Sequence, residues 1–249
     1  MVRKTLGGAL PPSVIGSKCV NTSRRLLLVT AWMLLLGCIE YFVFTHAAMV
    51  LYPGGNALND MATGYSYWYN YYSDLGMAHA WNGAVNLLSA SLFIPSVITW
   101  AILKAPFFIL LPTEIFPSGW LHTLSVLSGI GEVGSSITAV GIALTPHDMM
   151  HQAHVIFVSL AIIFMGLTAI SCSILLLKSS HKKVGVAFSI HAITCIMYGL
   201  VFIAPYFTSV PRFALLTAAC QKIIFFTWLG SSAFLAMRFA RLPSKGHAY

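Results

Sequence analysis

Six long apolar stretches alternate with polar ones along the chain, at roughly 26–51, 78–103, 121–144, 153–177, 185–206 and 214–237. A bilayer-spanning helix needs about 20 mostly apolar residues, and each stretch reaches that length. The pattern predicts an all-α polytopic membrane protein, a six-transmembrane-helix bundle over 26–240. A basic N-terminal segment, 1–25, precedes it and a short tail, 241–249, follows. The first stretch begins just after Arg24-Arg25. It is longer than the apolar core of a signal peptide, about 7–15 residues, and reads as a retained helix. Residues 105–120 carry Pro106, Pro112 and Pro117 and predict an irregular connection. The apolar run from Phe107 to Leu111 is too short to cross a bilayer.

Composition agrees with that pattern. Of 249 residues, 58% are hydrophobic and only 8% charged, against about 25% in an ordinary soluble domain. Such a chain cannot cover a water-facing surface of its own size, which excludes a soluble enzyme or a disordered tail. The net charge of +8 is a topology signal. Arg3, Lys4, Lys18, Arg24, Arg25, Lys104, Lys178, Lys182, Lys183, Arg238, Arg241 and Lys245 fall on one side of the six spans, and Arg212 alone on the other. By the positive-inside rule both termini are expected in the cytoplasm, and in a bacterial cell the protein would sit in the cell membrane. Basic residues spread over four such segments make no nucleic-acid patch. The cysteines show no C-x-x-C pairing and read as small apolar residues.

Few charges fall inside the spans, where each costs about 2.5–3.5 kcal/mol or more at the bilayer centre. They are Glu40, Glu132 and Lys222. Two readings stay open: an ion pair or protonated carboxyl that glues helices, or a proton or ion path. Polar residues also recur at helical spacing. His79, Asn82, Asn86 and Ser89 would share a face of span 2, His191, Thr194 and Tyr198 one of span 5, and Thr217, Gln221 and Trp228 one of span 6. Span 3 carries Ser128, Gly131, Gly134 and Gly141, which predicts close helix packing.

The outer side gathers the remaining chemistry. The loop 52–73 holds Tyr52, Tyr65, Tyr67, Trp68, Tyr69, Tyr71 and Tyr72, either an aromatic belt at headgroup depth or a lid over a lipid headgroup. Ser73-Asp74-Leu75-Gly76 opens span 2, and Pro146-His147-Asp148-Met149-Met150-His151-Gln152-Ala153-His154 joins spans 3 and 4. His147 and His151, at i and i+4, and His151 and His154, at i and i+3, are spaced to share a divalent metal such as zinc. Interfacial histidines bonding to loops and headgroups are the alternative.

The ordered set Ser73, Asp74, Leu75, Gly76, Asn86, Gly141, Pro146, Asp148, His151 and Gln221-Lys222 resembles small six-span membrane proteins of bacteria and archaea whose function is unknown. It is more distantly similar to the Frag/DRAM/Sfk group of eukaryotes. That resemblance implies a role in lipid or GPI-anchor remodelling or in autophagy, with no established reaction. The chain departs from the pattern in two places. Gln221-Lys222 stands where an acidic-basic pair is expected, and Ile-Ala-Leu-Thr-Pro follows Gly141 where an aromatic-Pro is expected.

The expected function is lipid-related: binding, sensing or remodelling at the outer leaflet. Asp74, Asp148 and His151 are the candidates for acid–base chemistry. Ser73, His79, Asn82, Asn86, Glu132, Gln221 and Lys222 are the candidate ligand contacts, and His147, His151 and His154 the metal ligands. Membrane lipid is the expected partner, with a homo-oligomer as a further possibility. The alternative is a small proton-coupled transporter using Glu40, Glu132 and Lys222.

Overall fold

A computed structural model describes residues 12–207 and 212–241, leaving aside the side chains of 12–23, 206 and 212–215. Arg3, Lys4, Lys18, Arg212 and Lys245, counted above for orientation, lie outside the described side chains. Six helices follow in order: α1 (Pro12–Val50), α2 (Leu87–Glu114), α3 (Gly119–Leu144), α4 (His151–Leu177), α5 (Lys182–Ile203) and α6 (Arg212–Ala240). All six are long and apolar enough to cross a membrane, and the protein is a six-span, all-α multi-pass membrane protein.

Each helix packs against its neighbours in sequence, and α6 closes on α1, so the six make a ring. Successive membrane-spanning helices run antiparallel. One end of the ring therefore carries the α1–α2, α3–α4 and α5–α6 connections and is called the capped end here. The small residues of α3 fulfil the packing expectation. A Cβ at Gly131 would lie 2.6 Å from Thr168 Oγ1, and one at Gly134 or Gly141 would enter the rings of Phe164 or Phe157. With no side chain in the way, the α4 aromatics seat directly on the α3 backbone.

The second span corrects the sequence reading. It was expected at 78–103 and runs from Leu87 to Glu114. Pro95, Pro106 and Pro112 lie inside the helix. A proline lacks an N–H, but inside a membrane bundle its neighbours can satisfy the freed carbonyl, so the helix continues. The irregular connection expected at 105–120 shrinks to the few residues before Gly119. Lys104, placed among the inner-side charges by the sequence, is instead fully buried within α2. The predicted stripe of His79, Asn82, Asn86 and Ser89 dissolves too. Residues 78–86 are not helical: His79 bridges Val85, Gly83 turns the chain at φ +81°, and Asn86 is the N-cap of α2.

The 52–86 segment folds over the capped end. It contains a two-stranded antiparallel hairpin, β1 (Gly54–Asn56) and β2 (Asn59–Thr63), and a 3-10 helix at Tyr72–Gly76. Its aromatics differ in burial. Tyr52 and Tyr72 are buried and Tyr65 packs against the core, whereas Trp68 and Tyr69 are exposed.

Candidate functional site

Asp74 organises the cap. Its Oδ2 accepts hydrogen bonds from Asn70 Nδ2 and from the Tyr71 backbone N–H, each at 2.9 Å, and the residue is only 2% exposed. Burial pushes its carboxyl up to about 6, although the bonds from Asn70 and Tyr71 pull the other way. Asn70 is the hub. Its Nδ2 also donates to Gly55 O at 2.8 Å, and its Oδ1 accepts from Ser66 N at 2.8 Å. Lys222, deep in α6, donates its ammonium to Asn70 O, with the rings of Tyr65 and Tyr72 centred 5.5 and 5.0 Å away. Next to it, Gln221 Oε1 accepts the Tyr72 N–H at 2.7 Å. The last helix thus ties down the first loop through two consecutive side chains.

Asn86 and Ser89 fasten the other side of the 3-10 helix. Asn86 Nδ2 donates to Asp74 O, Leu75 O and Met77 O, and Ser89 Oγ donates to Leu75 O. These bonds close a segment whose carbonyls face the interior, where an unpaired carbonyl is costly. Asn82 bonds locally, accepting from Ala84 N at 3.1 Å.

Asp148 and the histidines form a separate, more exposed patch. Asp148 accepts from Ala78 N at 3.1 Å and from His79 N at 2.9 Å, and the His79 ring lies 3.7 Å from it. The α3–α4 turn is thereby stapled to the 77–86 segment. His147 Nε2 and His151 Nδ1 are 2.8 Å apart, a distance that needs at least one neutral ring. Partial burial, and the neighbouring histidines, hold His147 below its ordinary value, although Asp148 raises it. His154 turns inward, with Nδ1 2.7 Å from Thr145 O.

The structure therefore separates groups that the sequence reading joined. No hydrogen bond or ion pair links Asp74 to His151. Among the described residues no group of three or more His, Cys, Asp or Glu side chains is arranged to hold a metal ion. Of the three histidines expected to share a metal, His154 holds the Thr145 carbonyl with Nδ1 while its ring stays 5.5 Å from that of His147.

Deeper in the ring, Glu132 has a partner that the sequence did not supply. Lys104 Nζ lies 2.7 Å from Glu132 Oε1 and donates to Ser135 Oγ at 2.7 Å. Both side chains are fully buried. The ammonium also sits 4.0 Å from the centre of the Trp100 ring and 5.0 Å from that of Trp228. The signal for this lysine was present in the sequence: the apolar run does not end at Lys104 but continues to Leu111. Glu132, Lys222 and the half-buried Glu40 stand in three different surroundings. The polar face of α5 is shared out as well. His191 and Thr194 bond to Thr227 of α6 at 3.0 and 2.8 Å, while Tyr198 faces a cavity.

That cavity lies in the ring beneath the cap. It is lined by side chains from all six helices and by Tyr72 and Ser73 of the cap. It holds about 580 Å³ of empty space, its open part included. Phe93 to Trp100 on α2 and Val158 to Met165 on α4 flank it, and each stretch rises about 10 Å along its helix. Trp100, which covers Lys104, is also part of the lining, so the ion pair sits just behind the cavity wall. Compared with protein-family models, curated proteins and solved structures, the chain matches none of them.

Proposed function

We propose that this protein binds lipid, drawing one apolar chain from the leaflet at the capped end into the space between its six helices. The observation that carries the reading is the cavity: apolar walls from every helix, with Tyr72, Ser73, Tyr198 and Gln221 also in the lining. Concave, mostly apolar sites with a few polar groups are the usual form of a small-ligand site. Binding fits the geometry better than chemistry does. Asp74 and Asp148 already hold cap backbone through their carboxylates. An acid–base pair would have to reach a common reacting atom. The resemblance to six-span proteins with lipid-remodelling members points the same way, and the expected orientation would put the cap on the outer leaflet.

The test is the lipid that stays with the purified protein. Ala139 and Ala161 both line the cavity, and Ala139→Phe or Ala161→Phe fills it. Mass spectrometry of extracts should show a chain-bearing compound retained near one per wild-type protein and lost from both variants. Equal retention by a variant that still melts cooperatively would sink the proposal.

A further inference from the structure

We infer that the occupant of this cavity is an uncharged amphiphile: a single apolar chain ending in a hydroxyl or carbonyl oxygen, as in a long-chain alcohol or an acylglycerol. This rests on the chain-binding reading above and narrows its ligand.

The first argument is charge. Among the described residues, no acidic or basic side chain lines the cavity. Four of the nearby ions are engaged elsewhere. Lys222 gives its ammonium to Asn70 O, Asp74 accepts from Asn70 and Tyr71, and Lys104 pairs with Glu132 behind Trp100. A phosphate, carboxylate or amine carried into these walls would find no opposite charge, and an unpaired buried ion is strongly disfavoured. An end group without charge escapes that penalty.

The second argument is the polar chemistry at the cap. Gln221 spends its carbonyl oxygen on the Tyr72 N–H, so the end of the amide left over is its NH2, a donor. That NH2 already gives one hydrogen bond to the Tyr198 hydroxyl, which leaves one N–H to donate. Ser73 lines the same space, and its hydroxyl makes no hydrogen bond among the described residues. These groups suit a ligand oxygen that accepts from Gln221 and Ser73, and a ligand hydroxyl could also donate back to Ser73. The deeper part of the lining offers Val97, Trp100 and Met165, which suit hydrocarbon. The ligand would therefore lie oxygen towards the cap, chain towards Trp100.

The experiment uses the full chain in lipid nanodiscs and a radiolabelled hexadecanol probe. Hexadecanol, hexadecanoate, hexadecylamine and hexadecane compete for it at pH 8. Hexadecanol should compete about 10-fold better than the acid, the amine or the alkane, the size expected for one satisfied hydrogen bond against one lost or one charge unpaired. An acid or amine that competes as well as the alcohol overturns the inference and leaves chain binding standing. No binding of the probe and no competition by any of the four overturns chain binding itself. Ser73→Ala removes a hydroxyl that no other group among the described residues uses. It should weaken the alcohol several-fold and leave the alkane unchanged, and an equal change for both also overturns the inference.

Discussion

Two lysines are buried in this bundle, and they are held in opposite ways. Lys104 meets a carboxylate, a serine hydroxyl and two indole faces. Among the described residues Lys222 forms no ion pair; it gives its ammonium to a backbone carbonyl between two phenol rings. Lys104 joins two adjacent helices in the middle of the ring. Lys222 joins the last helix to the first loop and so fixes the cap. A buried charge can thus be stabilised by a full counter-ion or by dipoles and ring faces, but the two solutions fail differently. Removing one member of an ion pair strands the other charge, whereas removing Lys222 takes one of two donors from a single carbonyl.

The largest effect is therefore expected at the pair. Lys104→Met or Glu132→Ala alone should cost about 3–5 kcal/mol, read as a large fall in melting temperature in detergent. The double variant Lys104→Met with Glu132→Leu should recover most of that loss. Single variants that melt like the wild type would show that the pair does not hold the ring together.

Lys222→Met should cost less, about 1–3 kcal/mol, because Asn70 O still receives the Tyr65 hydroxyl at 3.4 Å. The loss should appear first as faster proteolysis of the 52–86 segment. A cost equal to that of Lys104→Met would erase the contrast between the two lysines.

The pH dependence separates the two outer clusters. Folded, Asp74 takes up its proton at about 6 rather than near its ordinary 3.8. The folded chain then binds more protons than the unfolded chain between those values. Its contribution is fully present below pH 3.8 and is lost as pH rises through 6. The total is at most about 3 kcal/mol. Asp74→Asn should flatten this part of a melting curve recorded from pH 4 to 8. His147 acts in the other sense. Its value is depressed, so its contribution is present above 6.5 and is lost as pH falls. A wild-type profile that Asp74→Asn leaves unchanged would remove the cap carboxyl from the account.

The smallest effect is expected at Asp148. Asp148→Asn keeps one acceptor oxygen and should cost about 1 kcal/mol. Its signature is local: faster hydrogen exchange at the Ala78 and His79 amides, with the rest of the chain unaffected. Unchanged protection there would show that the staple is not needed.

How much was legible from sequence differs from element to element. The existence of all six spans was legible, as was the close α3–α4 contact, since Gly131, Gly134 and Gly141 recur along one helix. The start of α2 was not. Residues 78–86 are apolar enough to read as helix, yet Asn86 spends its side chain on three carbonyls of the preceding turn and begins the helix after them. Lys104 was misplaced for the same reason, since the hydropathy window slid towards the N-terminus and the prolines read as breaks. Asp74, Asp148 and the histidines were visible as a group, but residue spacing could not show that each aspartate is bonded to a different stretch of cap backbone.

The sequence by itself determined that the chain crosses a membrane six times, because the transfer of an apolar run into hydrocarbon depends on that run alone. It also determined which residues were too polar to lie there unpartnered. Only the tertiary structure decided the partners: Glu132 with Lys104, Lys222 with Asn70, and Gln221 with a Tyr72 amide 149 residues away. It also decided that six helices leave a cavity beneath the cap. A counter-ion and an empty volume are properties of several segments brought together, and no local pattern of hydrophobic and polar positions encodes them.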